Sequence, residues 1–301
     1  MFPHSKKFIW IILTLLTALG LSACASLIKP DPTLTPTATF TPEPPTATPE
    51  PLALTVNGEG ITVVEFDAEV ARYITAQEAL GKTVSSADAT SAVIEDITAQ
   101  LLLEQGAHTN GFSLDDAALQ ARIDSLAAQI GGADALSKWQ SDHGYSEQAF
   151  RSALKRGAES AWMRDKIITA VPSTAEQVHV QQILAYNEEG ALEALEQLKS
   201  GMDFDELAAS PFFDPLTRGD LGWFPRGYLL EKKIEDAAFS LEVGGHSDVI
   251  ATDVGFHIVR VLARDPARPL SPDAYLALQE LALKKWIEEQ RQQANIVLAP
   301  G

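Results

Sequence analysis

The sequence predicts an α+β protein: a small antiparallel sheet flanked by helices, inserted in a mainly helical domain. Three observations predict it. Apolar residues recur at helical spacing on both sides of a central segment. Within that segment, residues 178–262, β-prone runs alternate with short helical patterns in the order strand, helices, strand, helix, strand, strand. A β-prone run at 295–298 can pair with the opening run near Val56, which would bring both ends of the folded part into one domain.

The elements follow in order. Residues 52–62 (LALTVNGEGIT) place Asn57-Gly58 between two short β-prone runs, a hairpin signal. Val93, Ile94, Ile97, Leu101 and Leu102 make one apolar helical stripe. Ser113 is expected to open a second helix, with Asp116 completing a capping box. Leu114, Ile123, Leu126 and Ile130 would form its face, and Gly131-Gly132 its end. Ser146 opens a third helix carrying Phe150, Leu154, Trp162 and Ile167, stopped before Pro172. In the central segment, 178–186 reads as a strand, 191–200 as a helix ended by Gly201, and 202–209 as a short helix. A helix is expected around 232–241, with strands near Val249 and at 256–262. Arg264-Asp265-Pro266 reads as a turn. Ser271-Pro272 then starts a last helix, Ser as cap and Pro at the first helical position, with Tyr275, Leu278, Ala282 and Trp286 on one face.

The N-terminus bears on location. Lys6 and Lys7 precede an apolar run at 8–19 and then Leu21-Ser22-Ala23-Cys24. A basic start, a short apolar core and small residues before a cut describe a secretory signal. The run is shorter than the ~20 residues of a transmembrane helix. The ending L-S-A-C resembles the bacterial lipobox, which implies lipidation of Cys24; the ordinary alternative is a signal peptide with an incidental cysteine. Cys24 is the only cysteine, so the mature domains hold no disulfide and no cysteine nucleophile. Residues 30–51 are mostly Pro and Thr and lack the apolar side chains for a core, which describes an extended tether or a passive spacer. The expected division is a signal peptide at 1–23, lipidated Cys24 and linker at 24–51, a helical domain at 52–175, a central domain at 176–266, and a returning helix and strand at 267–301.

The formal charge is −18, and loss of Lys6 and Lys7 takes the mature chain to about −20. Such an acidic surface argues against nucleic acid and anionic lipid as partners.

The chemistry sits in the central segment. Residues 218–226 read R-G-D-L-G-W-F-P-R, and 252–257 read T-D-V-G-F-H. With Q-I-L (182–184), G-M-D-F-D-E-L-A (201–208) and E-D-A-A-F (235–239), they make five separated motifs in one order. In that order and composition, residues 178–265 resemble a parvulin-type peptidyl-prolyl isomerase domain. The flanking helices, the split layout and the lipobox resemble PrsA- and SurA-type extracytoplasmic foldases.

The resemblance implies a site. Family members carry two facing histidines on central strands; His257 matches the second, while Gln182 stands at the position of the first. Thr252 matches the hydrogen-bonding threonine, and Asp214 the acidic position beside the rotating amide. Leu229 or Leu230, Ile234 and Phe239 would hold the proline ring, Ile234 standing where phenylalanine is common. Each has a plainer alternative: a satisfied core histidine at 257, a turn threonine at 252, a turn aspartate before Pro215, a strand glutamine at 182, and core packing for the apolar set. The reaction rotates an X–Pro amide over a barrier of ~18–20 kcal/mol. A 10⁴-fold acceleration needs only ~5.5 kcal/mol of preference for the twisted amide, and no cofactor. The loop Asn187-Glu188-Glu189 would repel phosphate, which predicts no preference for phosphorylated substrates.

The expected function is therefore a membrane-anchored, extracytoplasmic peptidyl-prolyl isomerase that helps fold exported polypeptides containing X–Pro bonds. The alternative is a chaperone whose parvulin domain is weak or inactive, a reading that Gln182 favours. A solute-binding lipoprotein would need two lobes with parallel sheets, against which the helical flanks argue. The sequence shows no metal-ligand set, no phosphate loop and no motif for a Ser-His-Asp nucleophile.

Overall fold

The computed structural model describes residues 50–210 and 218–299. Cys24, the lipobox and Asp214 lie outside the described residues.

The chain opens with a hairpin, β1 (Leu52–Val56) and β2 (Glu59–Thr62). Asn57 and Gly58 both take positive φ, 55° and 89°, as the two-residue turn of a twisted hairpin requires. Thr62 caps α1 (Val63–Ala79) through the Glu65 amide, and Ser85 caps α2 (Ser86–Thr109) through the Asp88 amide. The α2 stripe of Val93, Ile97, Leu101 and Leu102 packs on Leu54, Val56 and Ile61 of the hairpin. Each such side chain removed from water contributes about 1.5–3 kcal/mol.

The next helix departs from the expectation. α3 spans Asp116–Ile130, and its cap is Asp115, whose Oδ1 accepts from the Ala118 amide. Ser113 does not cap it; its hydroxyl turns to the buried carboxylate of Glu159. Gly131, left-handed at φ 110°, ends α3, and α4 (Ala133–Asp142) follows at once. Ser146 caps α5 (Glu147–Thr169) as its sequence position requires.

The central segment holds β3 (Thr174–Ala185), α6 (Glu188–Lys199), α7 (Phe204–Ala208), β4 (Asp220–Pro225), α8 (Lys232–Ser240), β5 (Ile250–Thr252) and β6 (Gly255–Pro269). Its strands form one antiparallel sheet in the order β4-β3-β6-β5. The turn expected at Arg264-Asp265-Pro266 is not there. β6 runs on to pair Pro269 with Thr174, and a bulge between the Ala175 and Gln177 pairings absorbs the irregularity. Pro266 lacks an N–H, and a bulge is where a strand tolerates that loss.

Ser271 caps α9 (Pro272–Gln293), which leads to β7 (Ile296–Leu298). β7 pairs antiparallel with β1, Leu54 opposite Leu298, so the first sheet runs β2-β1-β7. Trp286, Ile287 and Ile296 pack on the same core as the hairpin. The protein is thus α+β: a small antiparallel sheet lies between helical segments whose two ends meet in a three-stranded sheet. Among the described residues, no helix is long and apolar enough to cross a membrane.

Candidate active site on the four-stranded sheet

Strand periodicity assigns each residue to a face. Ile183 and Ile258, paired across β3 and β6, point to one face and pack with Leu195, Phe204 and Leu207 of α6 and α7. Val259 and Val261 point to the other, where α8 lays Ile234, Ala238 and Phe239 over them and over Phe224 of β4. His257 shares the parity of Val259 and Val261, so it stands on the α8 face. Gln182 pairs with Val259 and His257 with Leu184, which sets Gln182 diagonally across from His257.

That diagonal carries a hydrogen-bonded chain. Nδ1 of His257 lies 2.9 Å from Oε1 of Gln182, and Nε2 lies 2.9 Å from Oγ1 of Thr252. The Gln182 oxygen only accepts, so Nδ1 carries the proton; Nε2 faces the Thr252 hydroxyl, whose one proton is shared between Nε2 and the Gly255 carbonyl 3.2 Å away. Thr252 is set by its own turn, its Oγ1 accepting from the Val254 amide at 3.2 Å. His257 is buried, at 5% exposure. Burial lowers its pKa below the ordinary histidine value, and the nearby charge of Glu231 partly opposes that shift. The ring is therefore held neutral, able to donate at one nitrogen and accept at the other.

Backbone packing holds the chain in place. The Gln182 amide donates to the Gly219 carbonyl at 2.8 Å. Gly219 sits so close that a Cβ on it would lie 1.8 Å from the Gln182 carbonyl oxygen, and its φ is +71°. Only glycine fits that position. On the far side, Lys233 Nζ donates to the Ala251 carbonyl and ties α8 to β5.

The apolar candidates divide. Ile234 and Phe239 are buried in the cluster under α8, and Leu229 packs against it half-buried. Leu230 is fully exposed. The Phe239 ring lies beneath two guanidinium groups, Arg226 at 4.2 Å and Arg264 at 5.7 Å. The loop bearing Leu229 and Leu230 is fastened by Glu235, which opens the E-D-A-A-F motif but to which the sequence alone assigns no role. Its buried carboxylate accepts from the amides of Gly227, Tyr228 and Leu229 at 2.8, 3.1 and 3.2 Å. The structure thus brings Gln182, Thr252 and His257 into contact, and puts Leu229, Ile234 and Phe239 in one apolar cluster on the same face.

Comparison with known proteins gives two matching family models. A SurA-like N-terminal domain matches residues 4–161, and a PPIC-type PPIASE domain matches residues 172–275. The chain belongs to the family of the SurA-like N-terminal domain. Gln182, Thr252, His257 and the apolar set all fall inside the PPIC-type match. Foldase protein PrsA of a Geobacillus species is 38% identical over 97 residues, 31% of this chain and 35% of that protein. Periplasmic chaperone PpiD of Haemophilus influenzae is 30% identical over 140 residues, 41% of this chain and 22% of that protein. The chain thus spans about a third or less of the length of these relatives. Among solved structures, peptidylprolyl isomerase (PrsA) from Bacillus cereus is 23% identical with a TM-score of 0.43, over 70% of this chain and 83% of that one.

Two more polar networks escaped the sequence reading. Beneath the PPIC-type sheet, buried Gln181 donates to Asp205 and to the Arg218 carbonyl and accepts from Arg260. The doubled glutamine at 181–182 was the available signal: strand alternation must send one to each face. In the SurA-like region, Arg156 pairs with Glu65 at 2.8 Å, both nearly buried, and Glu159 is fully buried beside His108. Their partners lie dozens of residues away, and no local pattern marks them.

Proposed function

We propose that this chain is a peptidyl-prolyl cis-trans isomerase and folding helper for exported polypeptides. The observation that carries the reading is the Gln182–His257–Thr252 chain on the sheet face that α8 and the Glu235-fastened loop flank. A proline ring would rest against Leu229 and the rim of the Ile234–Phe239 cluster. The neutral imidazole and its two partners would supply a polar wall that fits the twisted amide better than either planar form. Asp214, outside the described residues, is the candidate for the acidic role beside the amide in this reading. The acidic α6 start at Asn187-Glu188-Glu189 supports a preference for unphosphorylated substrates.

A lipid anchor at Cys24, followed by the Pro/Thr tether, would hold the folded part outside a bacterial membrane. The names of the relatives, PrsA foldase and periplasmic PpiD, support an extracytoplasmic setting.

A protease-coupled assay on an X–Pro tetrapeptide tests the reading, with His257→Ala run alongside. Catalysis above the uncatalysed rate that disappears in the variant is the expected result. A rate at background in the native chain would leave the second reading, a holdase with an inactive PPIC-type domain, which glutamine at position 182 favours. Suppression of aggregation of an unfolded client would then be its measure.

A further inference from the structure

We propose that Glu104, His108 and Glu159 form a binding site for a divalent transition-metal cation of the zinc class, linking α2 to α5. Glu104 and His108 are one helical turn apart on α2 and project from one face. Glu159 meets them from α5. One ligand atom from each lies within 4.8 Å of the others. His108 Nε2 and Glu159 Oε2 are 3.0 Å apart. Two ligands each ~2.0 Å from one tetrahedral ion stand roughly 3.3 Å apart, so small side-chain shifts suffice.

Glu159 is prepared for that role from behind. It is fully buried, and its other oxygen, Oε1, accepts from the Leu114 amide at 2.6 Å and the Ser113 hydroxyl at 3.3 Å. Outer partners of this kind orient a ligating carboxylate. The neighbouring guanidinium, Arg156, is spent on Glu65 and Gln100. Two carboxylates therefore meet one imidazole, and the Arg156 charge reaches Glu104 without a hydrogen bond to either carboxylate. The open side faces solvent: Glu104 and His108 line a cleft of about 590 Å³ between α1, α2 and α5, which leaves a path for the ion and a position for water. One imidazole and two carboxylates suit zinc and its first-row neighbours rather than calcium or magnesium. The His108–Glu159 hydrogen bond holds one proton between the two ligand atoms, and an ion bound there displaces it.

The test is calorimetric titration of ZnCl₂ into the full chain in two buffers of different ionisation enthalpy, with Co²⁺ absorption reporting geometry. One equivalent bound, with proton release and a tetrahedral Co²⁺ spectrum, is expected. His108→Ala and Glu104→Gln should weaken that binding by about 100-fold or more, beyond the 10–100-fold that outer partners carry. Both residues are partly exposed, and circular dichroism verifies that the variants fold; Glu104→Asp serves as a further probe. Absence of binding, or binding that none of these variants alters (an ion at His179 and Asp220, for instance), overturns the proposal.

Discussion

Oε1 of Gln182 lies 2.9 Å from Nδ1 of His257, across two neighbouring strands, and this contact selects which ring nitrogen carries the proton. Position 182 should therefore respond to hydrogen-bonding capacity rather than to charge. Gln182→Leu leaves a buried N–H without an acceptor, at about 1–3 kcal/mol, and should lower kcat/KM roughly tenfold or more. Gln182→His supplies an acceptor at the same place and should stay within about threefold of the native chain, measured in the protease-coupled assay.

Burial holds the His257 pKa below the ordinary value, with Glu231 opposing. On the proposed function, isomerase activity should be flat from about pH 8 to 6.5 and decline only below that range. The stability sign agrees. A lowered folded pKa means the ring's contribution is complete above the unfolded value near 6.5 and is lost as pH falls through the folded value. The difference in Tm between the native chain and His257→Gln should shrink in acid. A fall in activity already centred above pH 7 would contradict the neutral-ring account.

Glu235 satisfies three successive amides with one carboxylate. Glutamine is nearly isosteric but offers a single oxygen. Glu235→Gln should cost about 2–3 kcal/mol in denaturant unfolding. Hydrogen exchange at the amides of Gly227, Tyr228 and Leu229 should speed up first, because their acceptor is what changes.

Gly219→Ala forces a methyl against the Gln182 carbonyl at a φ of +71°. The expected cost is about 2 kcal/mol or more. Activity should fall with it, since the displaced strand carries Gln182. Gly222→Ala is the control: its φ is also positive, at +69°, but nothing lies within 4 Å of a Cβ there. It should cost less and leave activity near native.

In chelator, Glu104 provides a second pH signature. Burial, and then the hydrogen bond and charge of Glu159, push its pKa up to about 7. The folded state thus binds its proton more readily than the unfolded chain does. Stability should rise as pH falls from about 7 towards 4.5, and above 7 the ionised group is a burden. Glu104→Gln should stabilise the metal-free protein at pH 8 by about 1 kcal/mol, a figure reduced for partial exposure, and have little effect at pH 4.5.

Local pattern was enough for most elements. Asn57-Gly58, Ser146, Gly131 and Ser271-Pro272 mark their boundaries because turn and cap preferences act within a few residues. It misled where two local signals competed. Ser113 and Asp115 both suit a cap, and the distant Glu159 drew Ser113 away. Arg264-Asp265-Pro266 resembles a turn, yet long pairing with β3 carries β6 through it on a bulge.

By itself, the sequence determined the α+β class and most of the elements, because periodicity and cap signals are written along the chain, though α1 and α4 went unread; Gln182, Thr252 and His257 came from the resemblance of its motifs. Only the tertiary structure decided that Gln181 turns to Asp205 and Arg260, which leucine is covered, and that Glu235 fastens the loop. The same holds for Glu104, His108 and Glu159. A side chain's face and partners depend on strand register and helix packing, and these are settled by contacts between segments far apart in the chain.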